Sequence, residues 1–516
     1  MKPIANPVVL AIFCTVLCLS RGDTARPSLA LSPKQNTVFT ATNEVSSLVL
    51  EADGSLWVGT MGGVLYRNTQ GAWRKWSRQD GLPAHETRHV SIEKGGVTAT
   101  FPGVTATWRA DRWNATATVA SRHVSSKEPM LSTIEWDGKT CVTSLTELRV
   151  KEGATWRAFP LPPSNGTHIS ALLPHGSELW AALFGDGIWS FDGKDWHALD
   201  LHLPPDAREI TAMAANDVTL WIGTRRAGVW SYTRGAWKQH LPFDDPYNHN
   251  VQMFAAYQNR LYVSTLEDGL VIHTQRGWKR ATPPLLSSVA PRQLVTFQGT
   301  LYVRHGNGKV DRLDAGGAWT RDVCAHLPRK ETTMIASDSH RLYAGQWGGW
   351  SEFDGRQWVH HFEQKILQKC PMTALYPQGD TLWIGTQNHG LAEYRHATGE
   401  LRWHDERAGL RDDWITTIAG DGKTLTIGTF VGGMMRWDSK RWMPPVLVGE
   451  NVTAFAPDAS GGEWVATRAG LWHRTAKGEL KSAHIPYLDS EIQALLAVKG
   501  GLWVGARTGI FFLATE

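Results

Sequence analysis

The chain alternates short apolar runs with glycine-containing turns along almost its whole length. The runs are rich in β-branched and aromatic residues, as in Leu56-Trp-Val-Gly-Thr, Leu220-Trp-Ile-Gly-Thr and Leu382-Trp-Ile-Gly-Thr. Short runs of this composition, bounded by glycine, predict β-strands rather than helices. We therefore predict an all-β protein.

These runs recur with a period near forty residues. Ten tryptophans mark the period at intervals of 39 to 45 residues: Trp73, Trp113, Trp156, Trp196, Trp237, Trp278, Trp319, Trp358, Trp403 and Trp442. Four short antiparallel strands in a unit of this length predict a β-propeller blade. A blade buries both faces only against its neighbours, so the aromatic residue of each second strand is expected to fill the gap between blades. The ten tryptophans are expected in the outer strands.

Asp-Gly pairs lie where hairpin turns are expected. Asp192-Gly193 and Asp354-Gly355 are predicted to join a third strand to a fourth, because tight hairpin turns require positive φ and Asp-Gly meets that need. Asp137-Gly138 is predicted to take the same place in a more degenerate unit.

We count about twelve four-stranded units. Their first strands are predicted to begin near residues 45, 85, 126, 167, 208, 249, 290, 330, 370, 413, 450 and 490. The second, third and seventh units depart most from the pattern. The twelfth stops after its third strand, and we predict that residues 36–40 supply its missing outer strand.

Twelve blades exceed the four to eight of most rings, so two rings are favoured. The proline-containing segment 281–291 is the most linker-like stretch within the repeats. It favours six plus six blades, with a first propeller over residues 36–286, including the ring-closing N-terminal strand, and a second over 287–516. A seven-plus-five split and one large ring remain open.

The repeat resembles the two-component regulator propeller family. The motif is Leu-Trp-Ile-Gly-Thr, a short loop, Gly with Leu or Val, an aromatic residue and then Trp, and it is clearest in the units that begin near residues 45, 208, 370, 413 and 490. Repeats of that family form the extracytoplasmic sensor part of many bacterial hybrid histidine kinases. The resemblance implies a propeller with a sensing or binding role, and a sensor kinase or another envelope protein as the class of protein partner. It does not imply kinase activity, because no kinase segment is recognised.

The N-terminus has the features of a secretory signal. Lys2 precedes an apolar run over residues 8–20, which predicts a signal peptide over 1–22 and a flexible segment over 23–35. A helix of that run spans about 20 Å, less than the roughly 30 Å hydrocarbon core, so no membrane span is expected after cleavage. We therefore expect a periplasmic or secreted bacterial protein.

The net charge of +4 reflects 53 basic and 49 acidic residues, without a run of five like charges. This balance argues against a nucleic-acid partner. After signal cleavage three cysteines remain, Cys141, Cys324 and Cys370. Their odd number and wide spacing predict buried small hydrophobic residues, with one disulfide left open.

Three motifs resemble metal sites. His85-Glu-Thr-Arg-His89 matches the HExxH zinc motif, but that motif requires a helix, and here it lies at the entry to a β-unit. In a strand, residues four apart are separated by about 13 Å, too far to share one ion. The polar segment 244–250 is interpreted as a solvated turn between blades, and His360-His361 as surface residues. We predict no metal and no cofactor.

The sequence contains no nucleophile elbow and no evident Ser/His/Asp set, so we predict no catalytic residues. One enzymatic alternative is kept, a polysaccharide lyase or hydrolase that would use Glu267, Asp268, His389 and the loop arginines. An acid/base pair within reach of one substrate position would be required.

The loops between second and third strands are the predicted binding surface. They keep Gly-Thr before and Gly after a variable middle, and they share a face with the links between blades. The predicted ligand-binding residues are Trp347, Gln346, Gln387, Asn388, His389, Arg225, Arg226, Arg468, Arg507 and Phe430. Trp347 is the leading candidate because it lies off the structural period and can stack on a sugar ring. A second core tryptophan is the alternative interpretation.

We therefore predict an exported, sensor-like and non-enzymatic propeller that binds an unknown small molecule, glycan, peptide or surface partner on its loop face. A protein–protein interaction scaffold is the alternative. Propellers serve both enzymes and scaffolds, so the fold alone does not decide between them.

Overall fold

The computed structural model describes residues 26–27, 29, 32–93, 96–117, 132–144, 146–162, 166, 168–243, 245, 250–266, 269–281, 285–363, 365–483, 491–507 and 509–515. These residues form twelve antiparallel sheets, eleven with four strands and one with three. The prediction of an all-β propeller with about twelve blades is confirmed. We number the blades one to twelve in chain order of their first strands.

Five sheets belong to a unit that comprises Phe39–Asn248, called here the five-bladed unit. Its strands are β2 (Val45–Leu50), β3 (Leu56–Thr60), β4 (Gly63–Arg67), β5 (Trp73–Trp76), β6 (His89–Glu93), β7 (Gly96–Phe101), β8 (Val104–Arg109), β9 (Arg112–Ala117), β10 (Ser132–Trp136), β11 (Lys139–Thr143), β12 (Glu147–Glu152), β13 (Thr155–Pro160), β14 (Ile169–His175), β15 (Glu178–Leu183), β16 (Gly187–Phe191), β17 (Trp196–Ala198), β18 (Ile210–Ala215), β19 (Thr219–Thr224), β20 (Val229–Thr233) and β21 (Ala236–His240).

Seven sheets belong to a unit that comprises Met1–Val38 and His249–Glu516, called here the seven-bladed unit. Its strands are β1 (Thr37–Thr40), β22 (Val251–Tyr257), β23 (Arg260–Thr265), β24 (Leu270–Thr274), β25 (Gly277–Ala281), β26 (Pro291–Phe297), β27 (Thr300–His305), β28 (Val310–Leu313), β29 (Trp319–Thr320), β30 (Thr332–Ser337), β31 (Leu342–Gln346), β32 (Gly349–Phe353), β33 (Trp358–His361), β34 (Met372–Gln378), β35 (Thr381–Thr386), β36 (Leu391–Arg395), β37 (Glu400–His404), β38 (Ile415–Gly420), β39 (Leu425–Thr429), β40 (Met434–Trp437), β41 (Val452–Pro457), β42 (Glu463–Thr467), β43 (Leu471–Arg474), β44 (Leu480–Ala483), β45 (Ile492–Val498), β46 (Gly501–Ala506) and β47 (Gly509–Ala514). Three 3₁₀ turns, Arg78–Asp80, Pro205–Ala207 and Glu406–Ala408, complete the described elements.

Each unit is closed by contact between the inner strands of its first and last blades. In the five-bladed unit β2 packs against β18, and in the seven-bladed unit β22 packs against β45. Between those ends the inner strands of the seven-bladed unit contact one another in order, from β22 through β26, β30, β34, β38 and β41 to β45. The first strand of every blade therefore lines the axis of its unit.

This five-plus-seven division differs from the favoured six plus six, with its boundary after residue 286. The proline-containing segment 281–291 links blades six and seven within one unit. Leu286 is buried there, in a core that joins Leu270 of blade six to Leu294 and Leu301 of blade seven. The described residues of this segment therefore join two blades of one unit, whereas the division falls at residues 248 and 249.

The N-terminal strand completes the last blade, as predicted for residues 36–40. The sheet order is β1-β47-β46-β45, so β1 is the outer strand of blade twelve. Val38 packs against the core of that blade, and Asn36 Oδ1 accepts a hydrogen bond of 2.9 Å from the Ala514 N–H. The ring-closing strand thus belongs to the seven-bladed unit rather than to the first propeller.

The predicted signal peptide lies outside the described residues, as does much of the segment 23–35. The described part of that segment is held in place, which the prediction of a flexible segment did not anticipate. Arg26 donates to the Pro457 carbonyl at 2.7 Å, the Pro27 carbonyl accepts from the Lys499 N–H at 3.0 Å, and Leu29 is buried. No helix in the described part of the chain is long and apolar enough to span a bilayer.

The recurring Leu-Trp-Val-Gly-Thr motif has a structural reason for its tryptophan, its glycine and its threonine. The tryptophan packs against the next blade, as Trp383 does in the core that contains Ile415. The glycine allows close approach, since a Cβ at Gly505 would lie 2.4 Å from Val251 Cγ1 of the neighbouring blade. The threonine closes the following loop, as Thr386 Oγ1 does by donating to the Gly390 carbonyl at 2.8 Å.

The outer-strand tryptophans follow the prediction in blades one to nine. In blade ten Trp442 forms only an isolated bridge with Trp437, and the sheet has three strands. Pro444 and Pro445 follow directly in the sequence, and they lack the N–H groups that a fourth strand would donate. The outer strand of blade ten is therefore reduced to two bridges.

The predicted turns at Asp192-Gly193 and Asp354-Gly355 do join third and fourth strands, with Gly193 at φ 98° and Gly355 at φ 97°. Asp137-Gly138 instead joins the first and second strands, β10 and β11. Both of its residues have positive φ, 49° and 69°, which is the two-residue turn that suits a tight hairpin. The pair thus indicated a hairpin correctly, but not which hairpin.

His240 contributes a pH-sensitive contact between blades five and one. Its ring lies 5.9 Å from that of Trp73 and 5.1 Å from that of Trp221, and its Nε2 lies 2.9 Å from Ser231 Oγ. Burial, together with the positive charges of Arg67 and Lys238, lowers the pKa of His240 to about 4. The imidazole is therefore neutral in the folded protein at neutral pH.

We predict that alanine at the interblade glycine Gly505 destabilises the seven-bladed unit. The new Cβ would overlap Val251, and overpacking of this kind costs about 1–3 kcal/mol. Thermal unfolding should report a lower Tm for Gly505→Ala. The control is Gly187→Ala, where a Cβ has no neighbour within 4 Å. Equal Tm values for the two variants would contradict this interpretation of the motif.

We also predict that acid destabilises the five-bladed unit through His240. A pKa of about 4 in the folded state, below the usual value of 6.5 for histidine, means that the unfolded chain binds a proton first as the pH falls. The stability that depends on neutral His240 is therefore fully present above pH 6.5. As the pH falls from 6.5 to 4, the free energy of unfolding decreases by at most about 3 kcal/mol through this residue. In calorimetry, His240→Gln should lose less stability than the wild type between pH 7 and pH 4.5. The exposed His197→Gln should behave like the wild type, and the same behaviour from His240→Gln would refute the assignment.

Candidate functional site

The loops after the second strands lie at the same end of each blade as the links that lead into the first strands. One backbone hydrogen bond repeats there, from the first loop residue to the link. In the seven-bladed unit these bonds include Gln387 N–H to Pro371 O, Phe430 N–H to Trp414 O, Arg468 N–H to Asn451 O and Arg507 N–H to Glu491 O, each at 3.1 Å. The five-bladed unit has the same bond from Phe184 N–H to His168 O at 3.0 Å and from Arg225 N–H to Glu209 O at 2.9 Å. Loops and links therefore share one face in each unit.

The predicted ligand-binding residues divide between the two units. Arg225 and Arg226 follow β19 in the five-bladed unit, where Arg226 forms a 3.5 Å ion pair with Glu209. The other eight lie on the loop face of the seven-bladed unit, in blades eight to twelve: Gln346, Trp347, Gln387, Asn388, His389, Phe430, Arg468 and Arg507. These five blades are consecutive, so the eight residues follow one arc around that axis.

Trp347 is exposed, with 48% of its surface accessible. It stands in the turn between β31 and β32, and Gly348 after it has φ 88°. The buried tryptophan of this blade is Trp350, at 1% exposure. Trp347 is thus not a second core tryptophan, and its indole ring is available on the loop face.

Both polar atoms of the Gln346 side chain form hydrogen bonds within the protein. It is buried at the end of β31, in the place of the motif threonine. Its Nε2 donates to the Arg329 carbonyl at 2.5 Å, and its Oε1 accepts from Ser351 Oγ at 3.1 Å. The predicted role of Gln346 is therefore replaced by a structural one.

Blade nine presents polar side chains beside this turn. Asn388 and His389 are exposed, and Gln387 is half-buried. Asn388 Oδ1 lies 2.9 Å from His389 Nδ1 and accepts a 2.7 Å hydrogen bond from Cys370 Sγ. Cys370, like Cys141 and Cys324, is a buried free thiol, as predicted for all three.

The remaining part of the arc is aromatic and then basic. Phe430 stacks on Trp414, with ring centroids 4.2 Å apart and planes 11° from parallel. Arg468 lies 3.8 Å from the carboxylate of Glu491, and Arg507 is exposed in the next blade. Aromatic faces next to amide, imidazole and guanidinium groups can stack on a ligand ring and donate hydrogen bonds to its hydroxyl or carboxylate groups.

Two of the motifs that resemble metal sites contain a buried side chain. His85 and His89 are not on a helix, since His85 is buried in the link and His89 begins β6. Asp245 of the segment 244–250 is buried and accepts from Lys75 Nζ at 2.7 Å and from Thr42 Oγ1 at 2.7 Å. Among the described residues no three His, Cys, Asp or Glu side chains form a metal-binding group.

The interpretation of His360-His361 as surface residues holds for His360 only. His361 stacks on Trp350 at 4.7 Å, and its Nε2 lies 3.6 Å from Glu352. The enzymatic alternative names Glu267 and Asp268 together with His389 and the loop arginines, and both of these acidic residues lie outside the described residues.

Blade seven contains a buried polar cluster that the sequence reasoning missed. Its second strand reads Leu301-Tyr-Val-Arg-His305, so Arg304 and His305 replace the Gly-Thr of the motif. His305 Nε2 lies 2.8 Å from Asp311 Oδ2, and both side chains are fully buried. The replacement of Gly-Thr by an arginine and a histidine was a visible signal, but the unit was interpreted only as degenerate.

Asp311 is the acceptor at the centre of this cluster. It accepts from the Ser287 N–H at 2.6 Å, from Ser287 Oγ at 2.5 Å and from the Asp322 N–H at 2.9 Å. Burial raises the pKa of its carboxyl, but the hydrogen bonds from His305, Ser287 and Asp322 outweigh burial and lower the pKa overall. Asp311 therefore fixes the third strand of blade seven to the link from blade six.

No family model matches the chain, and no curated protein matches it. Solved structures that it resembles include the extracellular domains of two hybrid two-component systems of B. thetaiotaomicron. One is 15% identical over 92% of this chain and 68% of the other, with a TM-score of 0.47. The second is 15% identical over 92% and 70%, with a TM-score of 0.45. Streptogramin B lyase is 11% identical over 51% of this chain and 93% of its own, with a TM-score of 0.44. The first two are domains of the type of sensor protein whose repeats the sequence resembles.

We predict that the loss of the Asp311 carboxylate destabilises the seven-bladed unit. Asp311→Ala leaves His305 and several buried N–H and O–H groups without an acceptor, and breaking a buried pair in this way costs about 3–5 kcal/mol. Denaturant unfolding measures the difference. The control Asp200→Ala removes an exposed carboxylate and should change stability by less than about 0.5 kcal/mol. A loss of similar size in both variants would show that Asp311 does not anchor the blade.

Proposed function

We propose that this protein is an exported, non-enzymatic binding protein of the sensor type, which recognises a glycan on the loop face of its seven-bladed unit. The observation that carries the proposal is the exposed indole of Trp347, which the blade does not use for packing. Large apolar side chains at a surface rimmed by polar groups are typical of binding sites. Export is supported by the signal-like N-terminal sequence, and the sensing role by the repeat motif.

The neighbouring loops suit a hydroxyl-rich ligand. Asn388 and His389 in the next blade supply an amide and an imidazole, both exposed. Trp414 and Phe430 in the blade after that supply a second aromatic surface. A sugar ring offers an apolar face for stacking and hydroxyl groups at its rim, which this order of aromatic and polar side chains complements.

The distribution of charge also favours a glycan over a strongly basic or acidic macromolecule. Arg468 on this arc is balanced by Glu491, and the sequence carries a net charge of only +4. A surface with little net charge gains little from long-range electrostatic attraction, so affinity must come from stacking and hydrogen bonds. A peptide partner is a separate possibility that the experiment below distinguishes.

Oligosaccharide arrays probed with the purified full chain test the proposal, and titration calorimetry then measures the Kd of a glycan that binds. Trp347→Ala should weaken binding by about tenfold, because aromatic stacking contributes about 0.5–1.5 kcal/mol. Trp156→Ala is the matched control, since Trp156 is equally exposed, at 49%, but lies in the outer strand β13 of the five-bladed unit. It should leave the Kd unchanged.

Two results would overturn the proposal. One is the absence of binding to any oligosaccharide on arrays that cover neutral and acidic glycans. The other is a Kd that Trp347→Ala leaves unchanged. Capture of a peptide by the wild type and not by Trp347→Ala would keep the loop face as the site and replace the glycan with a peptide.

A further inference from the structure

The inner end of blade seven holds two arginines close to the axis of the seven-bladed unit. Arg292 is the second residue of the inner strand β26, and Arg304 is the last but one residue of β27. In the other six blades of this unit, the position that corresponds to Arg304 holds a small residue. These residues are Ser264, Gly345, Gly385, Gly428, Ala466 and Gly505. The arginine is thus specific to one blade and is not required by the repeat.

The Arg304 side chain is almost fully buried, at 4% exposure. Its Nε donates to Gln293 Oε1 at 2.8 Å, and its Nη1 donates to the His305 carbonyl at 3.2 Å. Its Nη2 is buried without a hydrogen-bond partner in the described structure, and so is Nε2 of Gln293, a residue only 2% exposed. Each of these two buried residues therefore has a hydrogen-bond donor group without an acceptor.

Arg292 adds a second guanidinium beside them. It is half-buried, and its Nη1 donates to Gln252 Oε1 at 3.2 Å. Gln252 Nε2 in turn donates to Gln493 Oε1 at 2.6 Å, which continues the polar row around the axis. The acceptors that meet the two arginines are thus amide and carbonyl oxygens. No carboxylate in the described part of the chain pairs with either of them.

Both guanidinium groups stay charged at neutral pH. Burial lowers the pKa of Arg292, and burial together with the charge of Arg292 lowers the pKa of Arg304 to about 9. Two buried or half-buried positive charges without an internal carboxylate destabilise the folded state. An external anion would remove that cost.

We propose that Arg292, Arg304 and the Nε2 of Gln293 form an oxyanion site at the inner end of blade seven. The site takes a carboxylate, phosphate or sulfate group, either as a small free ion or as the anionic end of a larger ligand. Guanidinium groups present paired N–H donors whose geometry matches such groups. The half-buried Arg292 is the point of access, and Arg304 and Gln293 form the floor. This site does not depend on the glycan proposal.

Thermal unfolding of the full chain tests the site. The anions are sodium phosphate, sodium sulfate and sodium galacturonate, each compared with sodium chloride at equal ionic strength, with galactose as the neutral control for galacturonate. An ion that saturates the site should raise the Tm of the wild type by about 3–6 °C at a hundredfold excess over Kd. A response to galacturonate alone identifies a carboxylate site, and a response to phosphate or sulfate alone identifies a tetrahedral oxyanion site.

Arg304→Met is the decisive variant, because methionine fills the space without the charge. It should lose the saturable rise, while its Tm in chloride should equal or exceed that of the wild type. The exposed Arg321→Met is the matched control and should keep the rise. General stabilisation by sulfate does not saturate, and it would appear equally in all three proteins.

Titration calorimetry with the half-buried Arg292→Met keeps the proposal testable if Arg304→Met does not fold. This variant should bind the stabilising anion at least about tenfold more weakly than the wild type. The proposal is overturned if no anion gives a saturable rise in the wild type, or if the rise and the Kd are unchanged in the variants. Loss of this response with intact glycan binding, or the reverse, separates this site from the proposed function.

Discussion

Neighbouring blades meet where the backbone of a second strand lies against the first residue of the next blade's inner strand. At Gly385 and Gly428 a Cβ would lie within 3 Å of the side chains of Ile415 and Val452, respectively, so these side chains pack directly on the glycine backbone. This approach brings the preceding tryptophan against the next sheet and sets the spacing of the inner strands. The rest of the fold depends on that contact, because a four-stranded sheet cannot bury both of its faces alone.

Blades seven and eight depart from the repeat motif at the loop end of the second strand. In blade seven an arginine occupies the glycine position, and a buried polar cluster surrounds it. In blade eight Gln346 replaces the motif threonine and bonds to the preceding link and to the third strand, while the residue after it is exposed. Both changes leave the four strands intact. The architecture thus tolerates polar substitutions at the loop end of a blade, where the strands themselves are not broken.

Several details of the fold could be predicted from short-range patterns. Most first strands begin within two residues of the predicted positions, because each begins a new apolar run after a link. The order of the strands within a blade also follows, since sequential strands in short hairpins pair with each other. The Asp137-Gly138 turn was assigned to the wrong hairpin because its conformation is the same between any two strands. Hydrogen bonds between segments far apart in the chain, such as that of Arg26 with Pro457, leave no local pattern to recognise.

The sequence by itself determined the strand content, the number of blades and the completion of the last blade by residues 36–40, because each depends on a period that can be counted. Only the tertiary structure decided that the blades divide into five and seven. Closure depends on which inner strands meet, β2 with β18 and β22 with β45, and these pairs are far apart in the chain while the period is the same throughout. The tertiary structure also decided which side chains near the loops are exposed to solvent. Gln346 and Trp347 are adjacent in the sequence, yet one is buried by partners from distant segments and the other faces solvent.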